Sequence, residues 1–290
     1  MIVSTQTDIL GKRYGDEQAI RIIATAGFDA FDLSLFPMYY QKDYGMNRSD
    51  FRDYAKRLRQ VADEVGIICN QAHAPFPSST DDPEETELIF KMIVRAMEGA
   101  SIVGAKSIVV HPQQHLRYYG NEQKLKEINL EFYRRLIPYA EKFGIKIAVE
   151  NMWQYEVDHV VHSTCASPKE FCAYIDMLDS EWIIGCLDLG HASLVHEDFS
   201  NMIHALGKDR LKALHVHDTD YISDLHTLPF MAKMDYAAIT DALADIGYEG
   251  DMTFEADNFL KNVPDELIGD AVRYMQCTGR YLASKISKMA

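Results

Sequence analysis

Short apolar runs and longer amphipathic stretches alternate from one end of the chain to the other. An apolar run of about five residues reads as a parallel strand buried on both faces. On that basis strands are predicted at Ile2–Thr5, Ala30–Leu35, Ile67–His73, Ser107–His111, Ile145–Glu150, Ile183–Asp188, Ala213–His217 and Met252–Glu255. Helices are predicted between and after them, at Asp16–Ala26, Arg48–Val65, Pro83–Val103, Lys124–Phe143, Pro168–Leu178, Phe199–Leu206, Tyr236–Ile246 and Asp265–Ser284. Most of these helices stop at a glycine, the residue best suited to a left-handed cap. Pro83 with acids beside it gives a favoured first helical turn.

Eight strand–helix units predict the α/β class and a single (β/α)8 TIM barrel spanning residues 1–290. The competing doubly wound sheet usually carries G-x-G-x-x-G after its first strand, and this chain has no such turn. No proline-rich linker, low-complexity stretch or charge block marks a domain boundary. The loops after strands are the long ones, at residues 39–46, 75–82 and 218–235, which places a pocket on the strand-end face.

Four consecutive strands in the second half end on a residue that can bind a metal: Glu150, Asp188, His217 and Glu255. Any one of these reads equally well as a solvated strand-end acid or a satisfied core histidine. Four converging on one barrel axis point to a cation. Three carboxylates and one imidazole suit Mn, Zn, Co or Mg as a divalent metal ion, and not a closed structural zinc site. His73, His111, His191, Asp224 and His226 fall on the same predicted face. His215 shares the strand face of His217, one layer deeper. The remaining histidines (His115, His159, His162, His196 and His204) read as surface or structural.

The chain carries 44 acidic and 29 basic residues, a net charge of −15. Such a field disfavours nucleic acid as a partner. A phosphate-bearing substrate would need basic loop residues, for which Arg117, Lys42 and Lys233 are the weak candidates. Phe36, Tyr39, Tyr40, Phe76, Trp153 and Phe230 fall on strand-end loops, where rings can stack on sugar C–H faces. Cys69, Cys165, Cys172, Cys186 and Cys277 include no C-x-x-C pair and read as reduced cysteines of a cytoplasmic protein. The N-terminal residues lack a basic n-region, and no 18-residue apolar run occurs, so a soluble chain without a membrane partner is expected. Pairing of copies as a homo-oligomer is left open.

The strings Ala72-His73-Ala74-Pro75-Phe76, Val149-Glu150-Asn151, Leu187-Asp188-Leu189-Gly190-His191, His215-Val216-His217-Asp218 and His226-Thr227-Leu228-Pro229 occur in an order that resembles the xylose-isomerase-like TIM-barrel superfamily. Within it, the chain is most similar to the sugar phosphate isomerase/epimerase group. The resemblance to ketose 3-epimerases implies one ion on Glu150, Asp188, His217 and Glu255. It implies that Glu156 and His191 hold the sugar, with His73, His111 and His226 as further substrate-binding candidates. Ser223 stands where those enzymes carry an arginine, which leaves the ketose class open. The implied chemistry is isomerisation or epimerisation of a small-molecule sugar or polyol ketone through an enediolate. Glu150 and Glu255 would then be catalytic acid/base groups as well as ligands. Endonuclease IV is a more distant resemblance. Its nine-ligand set has counterparts in His73, His111, Glu150, Asp188, His191, His217, Asp224, His226 and Glu255. The loop before Asp224 is short and basic patches are missing, so the alternative is a di- or tri-metal hydrolase or lyase and not a DNA-repair enzyme.

Overall fold

The computed structural model describes residues 1–289. Its strands are β1 (Val3–Gln6), β2 (Ala30–Ser34), β3 (Ile68–His73), β4 (Ser107–Val110), β5 (Lys146–Glu150), β6 (Trp153–Glu156), β7 (His159–His162), β8 (Ile183–Asp188), β9 (Leu211–Val216) and β10 (Met252–Phe254). Eight of them form a closed parallel barrel in the order β1-β10-β9-β8-β5-β4-β3-β2, as expected for a (β/α)8 barrel, while β6 and β7 form a separate antiparallel hairpin. The helices are α1 (Asp8–Tyr14), α2 (Asp16–Ala26), α3 (Pro37–Tyr40), α4 (Phe51–Val65), α5 (Pro83–Val103), α6 (Glu122–Phe143), α7 (Pro168–Leu178), α8 (Leu189–Leu194), α9 (Phe199–Arg210), α10 (Tyr236–Asp245) and α11 (Ile268–Met289). No helix among the described residues is long and apolar enough to cross a membrane.

Local sequence explains the helix limits. The Asp82 carboxylate accepts from the Glu84 amide at 2.9 Å, and Pro83 fills the first helical position of α5. Asp235 likewise accepts from the amides of Ala237 and Ala238 to open α10. At the far end of α5, Gly104 adopts φ 112°, a conformation that a residue with a Cβ rarely tolerates.

Strand alternation sorts the core into two layers. In β5, Ile147 and Val149 face the helices, whereas Ala148 faces the barrel axis and packs with Val109, Ile184, Cys186 and Ala213. This small plug fills the barrel below the strand ends. One step further along the same inward rows come Glu150 after Ala148, Asp188 after Cys186, and His215 after Ala213. The period of two that buries the plug therefore also aims the polar groups at the axis. Outward residues such as Phe31, Leu33, Leu214 and Phe254 are fully buried under the helices. Each contributes on the order of 1.5–3 kcal/mol.

The expected barrel strands match the observed ones to within two residues at each end. The hairpin, α1, α3 and α8 were not anticipated, and the last helix begins at Ile268, later than expected.

Candidate metal centre and active site

The strand ends form the floor of a cavity of about 630 Å³. Gln6, His111, His191, His226 and Glu255 contribute to its lower part, and Phe36, Phe76, Met152 and Trp153 form an apolar wall.

At the floor, one ligand atom from each of Glu150, Asp188, His215 and Glu255 falls within 4.8 Å of the others. The His215 Nδ1 lies 3.1 Å from Glu150 Oε1, 3.0 Å from Glu255 Oε2 and 3.7 Å from Asp188 Oδ2. His215 is the imidazole that reaches all three carboxylates, while His217, the ligand expected from the sequence, contacts Asp188 at 3.0 Å. Barrel stagger sets their levels. Glu150 pairs in register with Cys186, and Asp188 pairs with His215, so the strand ends climb stepwise around the barrel. Across β9 and β10, Thr253 pairs with His215 and Phe254 with Val216, so Glu255 continues level with His217.

His217 belongs to a second group with His191, Asp224 and His226. Its Nε2 is 3.0 Å from Asp188 Oδ1, and its ring stacks on His226 with centroids 4.1 Å apart. The carbonyls of Asn151 and Glu255 accept from His191 Nδ1 and His226 Nδ1, each at 2.9 Å. A carbonyl can only accept, so both Nδ1 atoms carry a proton, and both Nε2 atoms are turned toward Asp224. The His226 Nε2 is 3.0 Å from Asp224 Oδ2.

The other candidates divide. His73 is fully buried between Asp32 and Glu255, 2.8 Å and 3.7 Å away, and does not line the cavity. His111 does line it, with Nε2 3.0 Å from Glu150 Oε2. Glu156 sits on the hairpin, away from the floor, where it pairs with Arg117 beside a second cavity. Strand β6 carries it outward, and its partner Arg117 is consumed by the pair. Among the loop aromatics, Phe36, Phe76 and Trp153 line the cavity. Tyr39 bonds Glu85, Tyr40 lies under Lys12, and Phe230 packs on Tyr236 and Tyr281. Asp32, Gln6 and Gln71, which lie beside these groups, carry no signal in the sequence, because none ends an apolar run.

The carboxylates of the floor are held ionised by the imidazoles around them. Burial opposes ionisation of Glu150, but His215 and His111 outweigh it and hold the carboxyl well below the usual range. Glu255 is held well below it in the same way, by His215 and His73 against burial. Burial also opposes ionisation of Asp224, yet the hydrogen bond and charge of His226 keep its carboxyl down at about 2. Asp257 differs: burial, reinforced by the charge of Asp8, pushes it up to about 8. Several buried polar atoms here lack a hydrogen-bond partner, among them Asp224 Oδ1, His73 Nε2 and His217 Nδ1. Orphaned donors and acceptors are rare inside proteins, and their concentration on one floor fits residues meant to surround an ion. The mixed oxygen and nitrogen donors suit a catalytic divalent metal.

A family model described as "Xylose isomerase-like TIM barrel" matches residues 20–276. The chain belongs to the xylose isomerase-like TIM barrel family. Among curated proteins, the xylose isomerase-like chain is 26% identical over 275 residues to the uncharacterized protein MJ1311 of Methanocaldococcus jannaschii, covering 92% of this chain and 85% of that one. It is 27% identical over 129 residues to fructoselysine 3-epimerase of Escherichia coli O157:H7, covering 44% of this chain and 45% of the other. Its fold resembles a solved D-tagatose 3-epimerase-like protein with TM-score 0.76, 21% identity and complete coverage of both chains.

Proposed function

We propose that this xylose isomerase-like barrel is a divalent-metal-dependent isomerase or epimerase of a sugar or sugar-like polyol ketone. The observation that carries the reading is the buried convergence of Glu150, Asp188, His215 and Glu255 beneath an open, partly aromatic cavity. The names of the relatives, a fructoselysine 3-epimerase and a D-tagatose 3-epimerase-like protein, support the substrate class. The five free cysteines accord with a reducing cytoplasm.

Removing a proton from the carbon beside a ketone leaves an enediolate with charge on oxygen. The chemistry a divalent cation supplies when bound by Glu150, Asp188, His215 and Glu255 is stabilisation of that oxygen charge. Glu150 and Glu255 rise from different strands and both contact His215 Nδ1. One carboxylate takes the proton; the other returns one to the opposite face in an epimerisation. His111 orients Glu150 from the cavity side. His191 and His226 line the cavity, where their rings meet substrate hydroxyls. Phe36, Phe76 and Trp153 cover the apolar C–H face and keep water from the intermediate.

The test is washout of the C–H beside the carbonyl into D2O, followed by NMR across a panel of ketoses and inositol-type ketones. The parent should exchange at least one of them. Glu150→Gln and Glu255→Gln should each lose exchange by about 10²–10⁴-fold. Undiminished exchange in both variants rejects the acid/base assignment.

The second donor group, His191, His217, Asp224 and His226, favours one alternative, a di- or tri-metal hydrolase or lyase. Metal content separates the two: one ion per chain supports the isomerase, and two or three support the hydrolase.

A further inference from the structure

We propose that Asp32 is a positioning residue for this centre, selecting the tautomer of His73 so that a lone pair on Nε2 faces Glu255. The inference rests on the metal-dependent reading above. Asp32 lies on β2, is fully buried, and has no lysine or arginine partner among the described residues. Its Oδ2 is 2.8 Å from His73 Nδ1 and also 2.8 Å from Gln71 Nε2. Gln71 Nε2 in turn lies 2.9 Å from His215 Nε2. The His73 ring stacks on His215 with centroids 4.4 Å apart, and its Nε2 has no hydrogen-bond partner. One buried carboxylate thus touches one imidazole of the floor directly and a second through a single amide.

Two groups compete for His73 Nδ1. Asp32 can only accept, which requires the proton on Nδ1. The Gln6 amide nitrogen, 3.2 Å from the same atom, can only donate, which requires a lone pair there. The carboxylate is closer and charged, so it wins. A neutral ring then presents a bare Nε2 toward Glu255 Oε1 at 3.7 Å. Without Asp32, the Gln6 amide would dictate the opposite tautomer, and an N–H would point at Glu255 and occupy one of its lone pairs. Burying a carboxylate with no lysine or arginine beside it is costly even when it is hydrogen-bonded, and apolar packing at this position would avoid that cost. Such a cost is in keeping with a residue kept for orientation and not for stability.

The test uses the metal-free full chain labelled with ¹⁵N-histidine, at alkaline pH where the rings are neutral. Long-range ¹H–¹⁵N spectra report each tautomer directly, and His73→Gln identifies the His73 signals. The parent should show His73 protonated on Nδ1. Asp32→Ala should show it protonated on Nε2, and Mn²⁺ affinity measured by calorimetry should fall about 10–100-fold, the usual cost of losing an outer-shell partner. Asp32→Asn keeps the side-chain shape, so it decides the matter if the alanine variant does not fold. A mixture of tautomers with weaker Mn²⁺ binding supports the proposal. A parent-like tautomer and affinity in Asp32→Asn, and in Asp32→Ala where it folds, overturn it alone. Failure of the parent to bind Mn²⁺ overturns the metal reading and this proposal together.

Discussion

Gly190 offers the sharpest test of the side-chain arrangement, because two physical effects there have opposite signs. The residue is the second of α8, and its φ lies outside the left-handed region, so alanine suits the backbone. Helix propensity alone predicts that Gly190→Ala stabilises the protein by about 0.5–1 kcal/mol. Sterics predict the reverse. A Cβ at this position would lie 2.0 Å from His217 Cε1 and 2.4 Å from Nε2. To regain even a tight contact of 3.4 Å the ring must retreat by about 1.4 Å. It has little room, since His226 is stacked on it at 4.1 Å and Tyr236 bonds the His217 carbonyl at 2.7 Å. Overpacking of a buried site costs about 1–3 kcal/mol. Losing the His217 bond to Asp188 adds about 1.5–3 kcal/mol. The net expectation is a destabilisation of about 2–5 kcal/mol, and each kcal/mol lowers the melting temperature by roughly 2–4 °C in a chain of this size. Thermal and urea unfolding of metal-free parent and variant measure it. A variant as stable as the parent, or more so, would show that His217 does not occupy the face of Gly190.

Three further outcomes are expected. Adding Mn²⁺ to the metal-free protein should raise its melting temperature, by the equivalent of about 2.7 kcal/mol at a hundredfold excess over the dissociation constant, and a chelator should reverse it; an unchanged melting curve speaks against a cation site. Burial raises the Asp16 carboxyl above its ordinary value of 3.8, more than the hydroxyls of Tyr44 and Tyr54 lower it, so its stabilising contribution is full below that value and lost as pH rises through the raised one. Asp16→Asn should therefore gain stability relative to the parent as pH climbs from acid to neutral, and a pH-independent difference in urea unfolding would contradict this. Asp82→Ala removes the cap of α5 and should cost about 1 kcal/mol in the same measurement, with no effect on ketose exchange.

How much of this was legible in the sequence depends on which interactions fix each residue. Parallel barrel strands are buried on both faces, so Ile183–Asp188 and its counterparts stand out as apolar runs, and glycines such as Gly104 mark where the helices stop. The carboxylates Glu150, Asp188 and Glu255 could be found because each ends such a run. His215 and His217 cannot be told apart within one strand, since both point inward, and the register sets His215 level with Asp188 but carries Glu255 on to the level of His217. The hairpin escaped notice because its turn, Val157-Asp158, carries no glycine or asparagine; Val157 takes the positive φ instead. Its alternating Trp153-Gln154-Tyr155-Glu156 was the available signal, and reading it would have moved Glu156 off the floor. Asp32 lies inside β2 and Gln6 is a neutral amide at the end of β1, and both matter only through partners distant in sequence.

Asp188 joins the two groups of donors: Oδ2 lies 3.7 Å from His215, while Oδ1 and Oδ2 lie 3.0 and 3.1 Å from His217 of the second group. Whatever is captured on one flank must borrow from or lend to the electron density available on the other. Thermodynamic reciprocity then requires that two guests at this rim cannot titrate as strangers: each changes the other's grip by the same factor.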